Sequence, residues 1–172
     1  MNPRDRATIE RTPDGGIIRF VRDLPYPIEE VWSALTDPKR LADWWAPFAA
    51  DITVDLRQGG SITFDWHGHD IPRFVFTITH LKPPTLLQHT HTGPGSWQRW
   101  ELEAIAAGTR LVSTYFVPDP DLAIQRGDIV GAHYGLDRLE ALLEGHPMPV
   151  DMQAFAALQA DYASHGLAAP QP

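Results

Sequence analysis

Histidine is the residue type in this chain whose spacing most invites chemistry: eight are present, in two close pairs and four single positions. His89 and His91 are two residues apart, so on a strand they share a face and their imidazoles come near enough to enter one metal ligand sphere. A zinc site needs further ligands and the sequence assigns none, so no metal is expected, and exposed strand histidines are the competing reading. His67 and His69 flank Gly68 and read as the solvated tip of a hairpin, where polar side chains are ordinary. His133, beside Tyr134, is the candidate for acid or base chemistry near neutral pH, and His133, Tyr134 or Tyr115 for orienting a ligand's polar end; a partly exposed helix histidine is the plainer reading of His133. Asp65, Glu101 and Glu103 alternate with apolar neighbours, as on a solvated sheet face, and one turned inward would gain a raised pKa. Arg73, Arg99 and Arg110 are either anchors for a ligand carboxylate or outward residues paired with opposite charges.

No Gly-x-Ser-x-Gly elbow, phosphate-cradling glycine loop or His-Glu-x-x-His helix occurs, so hydrolase, nucleotide-binding and metalloprotease chemistry lack their usual supports, and no cofactor is expected. The aromatic set Trp66, Phe74, Phe76, Trp97, Trp100, Tyr115 and Phe116 serves as packed core or as pocket wall. Taken one at a time each favours core; together they point to an apolar or aromatic ligand rather than a charged one.

The elements that must hold these residues follow from periodicity. Ile17 to Arg22, after the turn Asp14-Gly15-Gly16, is rich in β-branched residues and reads as a first strand. Pro27 opens a helix with Glu29 and Glu30 near its positive end and Ile28, Val31, Trp32 and Leu35 on one stripe. Asp37-Pro38 starts a second short helix carrying Leu41, Trp44 and Trp45, which Pro47 ends. From Asp51 to Val117 the period becomes two, broken by turn residues at Gly59-Gly60, Gly68, Pro83-Pro84, Gly93-Pro94-Gly95 and Gly108, which predicts a meander of antiparallel strands. Helical period returns with Asp128 as cap, and Ala132, Leu136, Leu139 and Leu143 lie along one side before Gly145. Phe155, Leu158 and Tyr162 mark a terminal helix that either docks on the body or supplies a homodimer surface.

Composition sets outer bounds. A chain of 172 residues, 43% hydrophobic with six Trp, can bury one substantial core. The net charge of −8 disfavours nucleic acid and anionic membrane surfaces as partners. The absence of cysteine suits a reducing compartment, no apolar leader follows the polar first residues, and no run is long enough for a membrane span, so a cytoplasmic location is expected.

An order of strand, two short helices, a run of strands and a long helix is solved economically by an antiparallel sheet covered on one face. The stretch Leu24-Pro25-Tyr26-Pro27-Ile28-Glu29-Glu30-Val31-Trp32 through Thr36-Asp37-Pro38 to Trp44-Trp45 resembles the opening of the SRPBCC (START-like) superfamily, nearest its branch of homologues of the activator of the heat-shock ATPase. Gly108-Thr109-Arg110-Leu111 and Leu136 to Gly145 resemble that branch's last turn and final helix. The resemblance implies an α+β helix-grip fold, in which a curved antiparallel sheet wraps a long C-terminal helix with two short helices after the first strand. Three parts are expected: an arm over 1–15, the ligand-binding domain over 16–146, and a helical extension and tail over 147–172. The resemblance further implies a cavity between sheet and helix for a small hydrophobic molecule, for which Trp66, Phe74, Phe76, Trp100, Tyr115, Ala132, His133 and Leu136 are the candidate lining. One departure is legible: Gly131-Ala132 stands where the family often has Gly-Trp, which enlarges or re-polarises one end of the cavity. Binding is the leading reading; a cyclase or dehydratase using His133 or an inward carboxylate, and a chaperone-cofactor role in protein interaction, are the alternatives.

Overall fold

The computed structural model of the chain describes residues 6–68 and 70–168. Among these residues eight strands form one antiparallel sheet: β1 (Thr8–Thr12), β2 (Gly15–Leu24), β3 (Ala50–Val54), β4 (Ser61–Trp66), β5 (Phe74–Lys82), β6 (Leu86–Thr90), β7 (Trp97–Ile105) and β8 (Gly108–Val117). Their spatial order is β1-β2-β8-β7-β6-β5-β4-β3, so every neighbour in the meander is joined by a hairpin and only β2, the first long strand, crosses to pair with the last. Two helices, α1 (Ile28–Thr36) and α2 (Pro38–Trp44), fill the gap between β2 and β3. After β8 come α3 (Pro120–Arg126), α4 (Asp128–Leu143) and α5 (Met152–Ser164). This is the expected helix-grip α+β arrangement, with α4 lying across the concave face.

The inward face of the sheet follows the two-residue period. Ile62 and Phe64 on β4, Phe76 and Ile78 on β5, and Leu111 and Ser113 on β8 are all buried. The tandem helices start as the prolines dictate: Asp37 caps α2 through its side chain on Lys39 N (2.9 Å), and Pro38 occupies the first turn, where its missing N–H has no partner to lose. Trp44 is fully enclosed, its indole N–H donating to Ala34 O (2.9 Å), which ties the two helices together.

The Gly108-Thr109 turn has a structural reason. Gly108 adopts φ +135°, and a Cβ there would stand 2.1 Å from Leu24 O and 2.8 Å from Tyr26 N. Thr109 Oγ1 donates to Tyr26 O (2.8 Å), so this turn locks the β2–α1 junction against the end of β8.

Two elements lay outside the pattern reading. β1 arises from residues expected as an arm; Thr8 to Thr12 pair with Arg19 to Gly15 along the edge of the sheet. α3 carries the same start signal as α2, Asp119 accepting from Leu122 N (2.9 Å) ahead of Pro120. Because α3 ends on Gly127 at φ 76°, that glycine, not Asp128, is the N-cap of α4, and Asp128 is its first helical residue. Pro27 likewise caps α1 from outside rather than opening it.

α5 docks on its own chain. Tyr162 is fully buried, its hydroxyl accepting from Ala7 N (3.0 Å) and bonded to His133 Nδ1 (2.8 Å), while Phe155 sits edge-on to Tyr134 at 5.6 Å. Arg6 pairs with Asp161 (3.0 Å) beside them.

Candidate ligand-binding site

Between the concave face and α4 lies a cavity of about 520 Å³. Its floor is Ile18 of β2, Phe74 of β5, Trp100 of β7, and Tyr115 and Val117 of β8, with His91 and Thr92 just past β6. Its roof is the face of α4 bearing Asp128, Gly131, Ala132, Gly135 and Arg138. Trp44, Trp45, Pro47 and Phe48 close one side, and Val150, Met152 and Phe155 the other. Phe48, Val150 and Met152 are 45%, 40% and 67% exposed, so the two lips of the mouth are apolar and wet. A side chamber of about 100 Å³ opens beside it, walled by Trp45, Phe64, Trp66, Phe74, Phe76 and His91.

Arg138 holds both lips. It is buried, and its guanidinium donates from Nη2 to Asp43 O (2.8 Å), from Nη1 to Ala46 O (3.0 Å) and from Nε to Met148 O (3.1 Å). One rigid fork therefore fixes the end of α2 and the segment leading into α5 to the middle of α4.

The polar groups of the floor form a row across three strands. His89, Gln98 and Tyr115 are cross-strand neighbours on β6, β7 and β8 and so share the inner face. His89 Nδ1 donates to Thr90 O (2.7 Å), which leaves Nε2 to accept from Trp100 Nε1, a donor only, at 3.4 Å. The ring is thereby held as the neutral Nδ1–H tautomer, and burial pushes its pKa down to about 4. Burial, helped by the neighbouring His89 6.1 Å away, takes His91 down to about 3. Burial also raises the Tyr115 phenol, so all three rings are neutral across the physiological range. The His91 and Tyr115 rings are 5.1 Å apart, and His91 Nδ1 and Gln98 Oε1 are enclosed without a hydrogen-bond partner.

The expected lining divides. Phe74, Trp100, Tyr115 and Ala132 face the main cavity, Trp66 and Phe76 the side chamber, and His133 and Leu136 neither. His133 is buried on the far side of α4, between Phe20 and Tyr162, with Nε2 3.2 Å from Arg22 and 3.3 Å from Asp137. It is part of a buried joint between β2, α4 and α5 in which Arg22 also pairs with Glu140 (2.8 Å). His89, expected on an exposed face, is fully buried, and among the described residues no three His, Asp or Glu side chains gather as a metal site. His67 pairs with Asp51 (2.9 Å) on the outside; His69 lies outside the described residues. The three arginines serve the surface: Arg110 grips Asp23 with two bonds (2.7 and 2.8 Å), Arg73 pairs with Asp65, and Arg99 donates to Gln88 Oε1 (2.7 Å) over the Trp97 ring. The inward carboxylate that an acid-base reading needs is not among Asp65, Glu101 and Glu103, none of which lines the cavity. Among the lining residues that sequence reasoning did not name are Trp45, Phe48, Arg138, Val150, Met152 and Phe155, along with His91 as a wall of both spaces.

A curved sheet gripping a helix around an internal space places the chain among helix-grip proteins of the SRPBCC superfamily. Residues 25–144 match the model of the family "Activator of Hsp90 ATPase homolog 1-like protein", and the chain belongs to that family. Among solved structures it resembles CalU16 from Micromonospora echinospora, at 24% identity and a TM-score of 0.67 over 92% of this chain and 94% of that one. EF2215 from Enterococcus faecalis, a conserved protein of unknown function, superposes with a TM-score of 0.73 at 18% identity, covering 92% and 89%. At these identities the likeness shows the fold alone. DynU16, from the dynemicin biosynthetic locus, is 27% identical with a TM-score of 0.65; the match covers 81% of this chain but only 51% of DynU16. Among curated proteins none matches. No described helix is long and apolar enough to cross a membrane.

Proposed function

We propose that the chain binds a small apolar or aromatic molecule in the cavity beneath α4, and that it is a binding protein rather than a catalyst. The cavity itself carries the reading. Its volume falls within the roughly 300–1,000 Å³ usual for small-molecule sites. Its walls are mainly apolar, so water held there has few partners and an apolar molecule that displaces it gains the free energy of burying both surfaces. Catalysis is disfavoured because a general acid or base works best with a pKa near the operating pH, whereas His91 is held near 3 and the Tyr115 phenol is raised. Among the described residues a partner-docking role finds little surface: Val21, Leu56, Val75 and Leu122 are exposed at separate places in the chain, and the other large exposed apolar side chains, Phe48, Val150 and Met152, line the cavity mouth.

The test is native mass spectrometry beside the denatured mass, followed by titration with the neutral fluorophore N-phenyl-1-naphthylamine. A retained small molecule, or saturable binding at one site per chain, is expected. Ala132→Trp, which puts an indole into the roof, should weaken binding at least tenfold while the melting temperature shows the variant folded. Absence of a retained mass together with absence of probe binding overturns the reading, as does probe binding indifferent to Ala132→Trp.

A further inference from the structure

We infer that the cavity admits only ligands without formal charge, and that His91 and Tyr115 form the pair that takes hold of a hydroxyl or carbonyl oxygen on them. The inference rests on the binding reading above and names its ligand class.

A charged ligand needs a counter-charge, because an ion taken out of water without one is strongly disfavoured. Among the described residues the walls offer none that is uncommitted. The one cation among them, Arg138, has its guanidinium engaged by three backbone carbonyls, and turning it toward a ligand would release both lips of the mouth. The one carboxylate, Asp128, sits at the edge and is paired with Arg126 at 2.8 Å. The net charge of −8 adds repulsion for an approaching anion.

What the walls do offer is neutral hydrogen bonding concentrated at one end. His89 is used up by Thr90 and Trp100, and Gln98 donates from Nε2 to Ser113 Oγ (3.3 Å). Gln98 also hydrogen-bonds the Tyr115 hydroxyl, so of the rings that line the cavity His91 and the remaining half of that hydroxyl keep capacity for a ligand, with Thr92 beside them. His91 has its Nδ1 without a partner, which favours placing the ring proton on Nε2, and the Tyr115 hydroxyl both donates and accepts. The two rings pack together at 5.1 Å and both line the cavity, so a hydroxyl or carbonyl oxygen at that end meets both while the rest of the ligand lies on Trp100, Phe74 and Ala132.

The experiment compares two fluorophores of one skeleton, neutral N-phenyl-1-naphthylamine and anionic 1-anilinonaphthalene-8-sulfonate, and then displaces the neutral one with naphthalene, 2-naphthol and the cation 1-naphthylmethylammonium. The neutral fluorophore should bind at least about 100-fold more tightly than the sulfonate. A single good hydrogen bond gives 2-naphthol up to roughly tenfold over naphthalene. In Tyr115→Phe and His91→Phe, the ratio of 2-naphthol to naphthalene affinity should fall toward one. Comparable binding of the sulfonate, or displacement by the ammonium as strong as by 2-naphthol, overturns the inference while leaving the binding reading standing; an unchanged ratio in both variants removes the assigned pair. If no compound binds, the binding reading fails and the inference with it.

Discussion

The fold makes a specific claim about acid, centred on His89. Its imidazole is fully buried with Nδ1–H on Thr90 O and Nε2 accepting from the Trp100 indole, so a second proton would both charge a dry site and abolish the Trp100 bond. The folded pKa of about 4 lies below the ordinary 6.5 of the unfolded chain. Between those values the unfolded state carries the proton and the folded state does not, so stability falls as pH falls. The contribution is fully present above pH 6.5, declines by up to about 1.4 kcal/mol per unit below it, and levels off below pH 4, where both states are protonated. At pH 5 the loss is about 2 kcal/mol, and His91, depressed by the same burial, acts in the same direction. Urea unfolding at half-unit steps from pH 7.5 to 4.5 measures it, with His89→Gln as the comparison because glutamine keeps a polar side chain but does not titrate. Wild type should lose stability more steeply than the variant below pH 6.5. Parallel curves would refute the reasoning, since they would mean that His89 takes its proton as readily folded as unfolded.

Arg138→Met removes three hydrogen bonds to carbonyls and should cost about 3 kcal/mol in urea unfolding while raising hydrogen exchange in 43–49 and 147–153; Arg138→Lys, which lacks the planar fork, should recover only part of it. Gly108→Ala forces a Cβ onto Leu24 O and should lower stability by about 2 kcal/mol or more, read as a fall in melting temperature. Tyr162→Phe strands the Ala7 N–H and His133 Nδ1 and should cost about 1–3 kcal/mol, with faster exchange confined to α5 and the β1 end.

Elements marked by strong local signals were legible in the sequence. Asp37-Pro38 marks α2, and the alternation through Ile62, Phe64, Phe76 and Ile78 marks both the strands and their inner face. β1 was not, because the Thr8 to Thr12 run is polar and its side chains are exposed or half-buried along an edge strand, so no alternation with a buried face exists to be read. The site was half legible for a reason of geometry. α4 is packed by the sheet, by α1 and α2, and by α5, so apolar residues occur nearly all around it and periodicity cannot say which flank faces empty space. Ala132 borders the cavity, while His133 and Leu136, one and four positions on, do not line it. His89 looked like a surface residue because buried histidine is uncommon; only its Trp100 and Thr90 partners, distant or invisible in sequence, make burial tolerable. Arg138, Phe48 and Met152 belong to the mouth through contacts between segments far apart in the chain, which no local pattern encodes.

A crystal structure grown with N-phenyl-1-naphthylamine tests the central claim most directly. The account predicts the probe between α4 and the sheet, its rings against Trp100 and Ala132 and its N–H within hydrogen-bond distance of His91 or Tyr115. A cavity filled by collapsed side chains, or the probe lodged only on the outer surface, would contradict it.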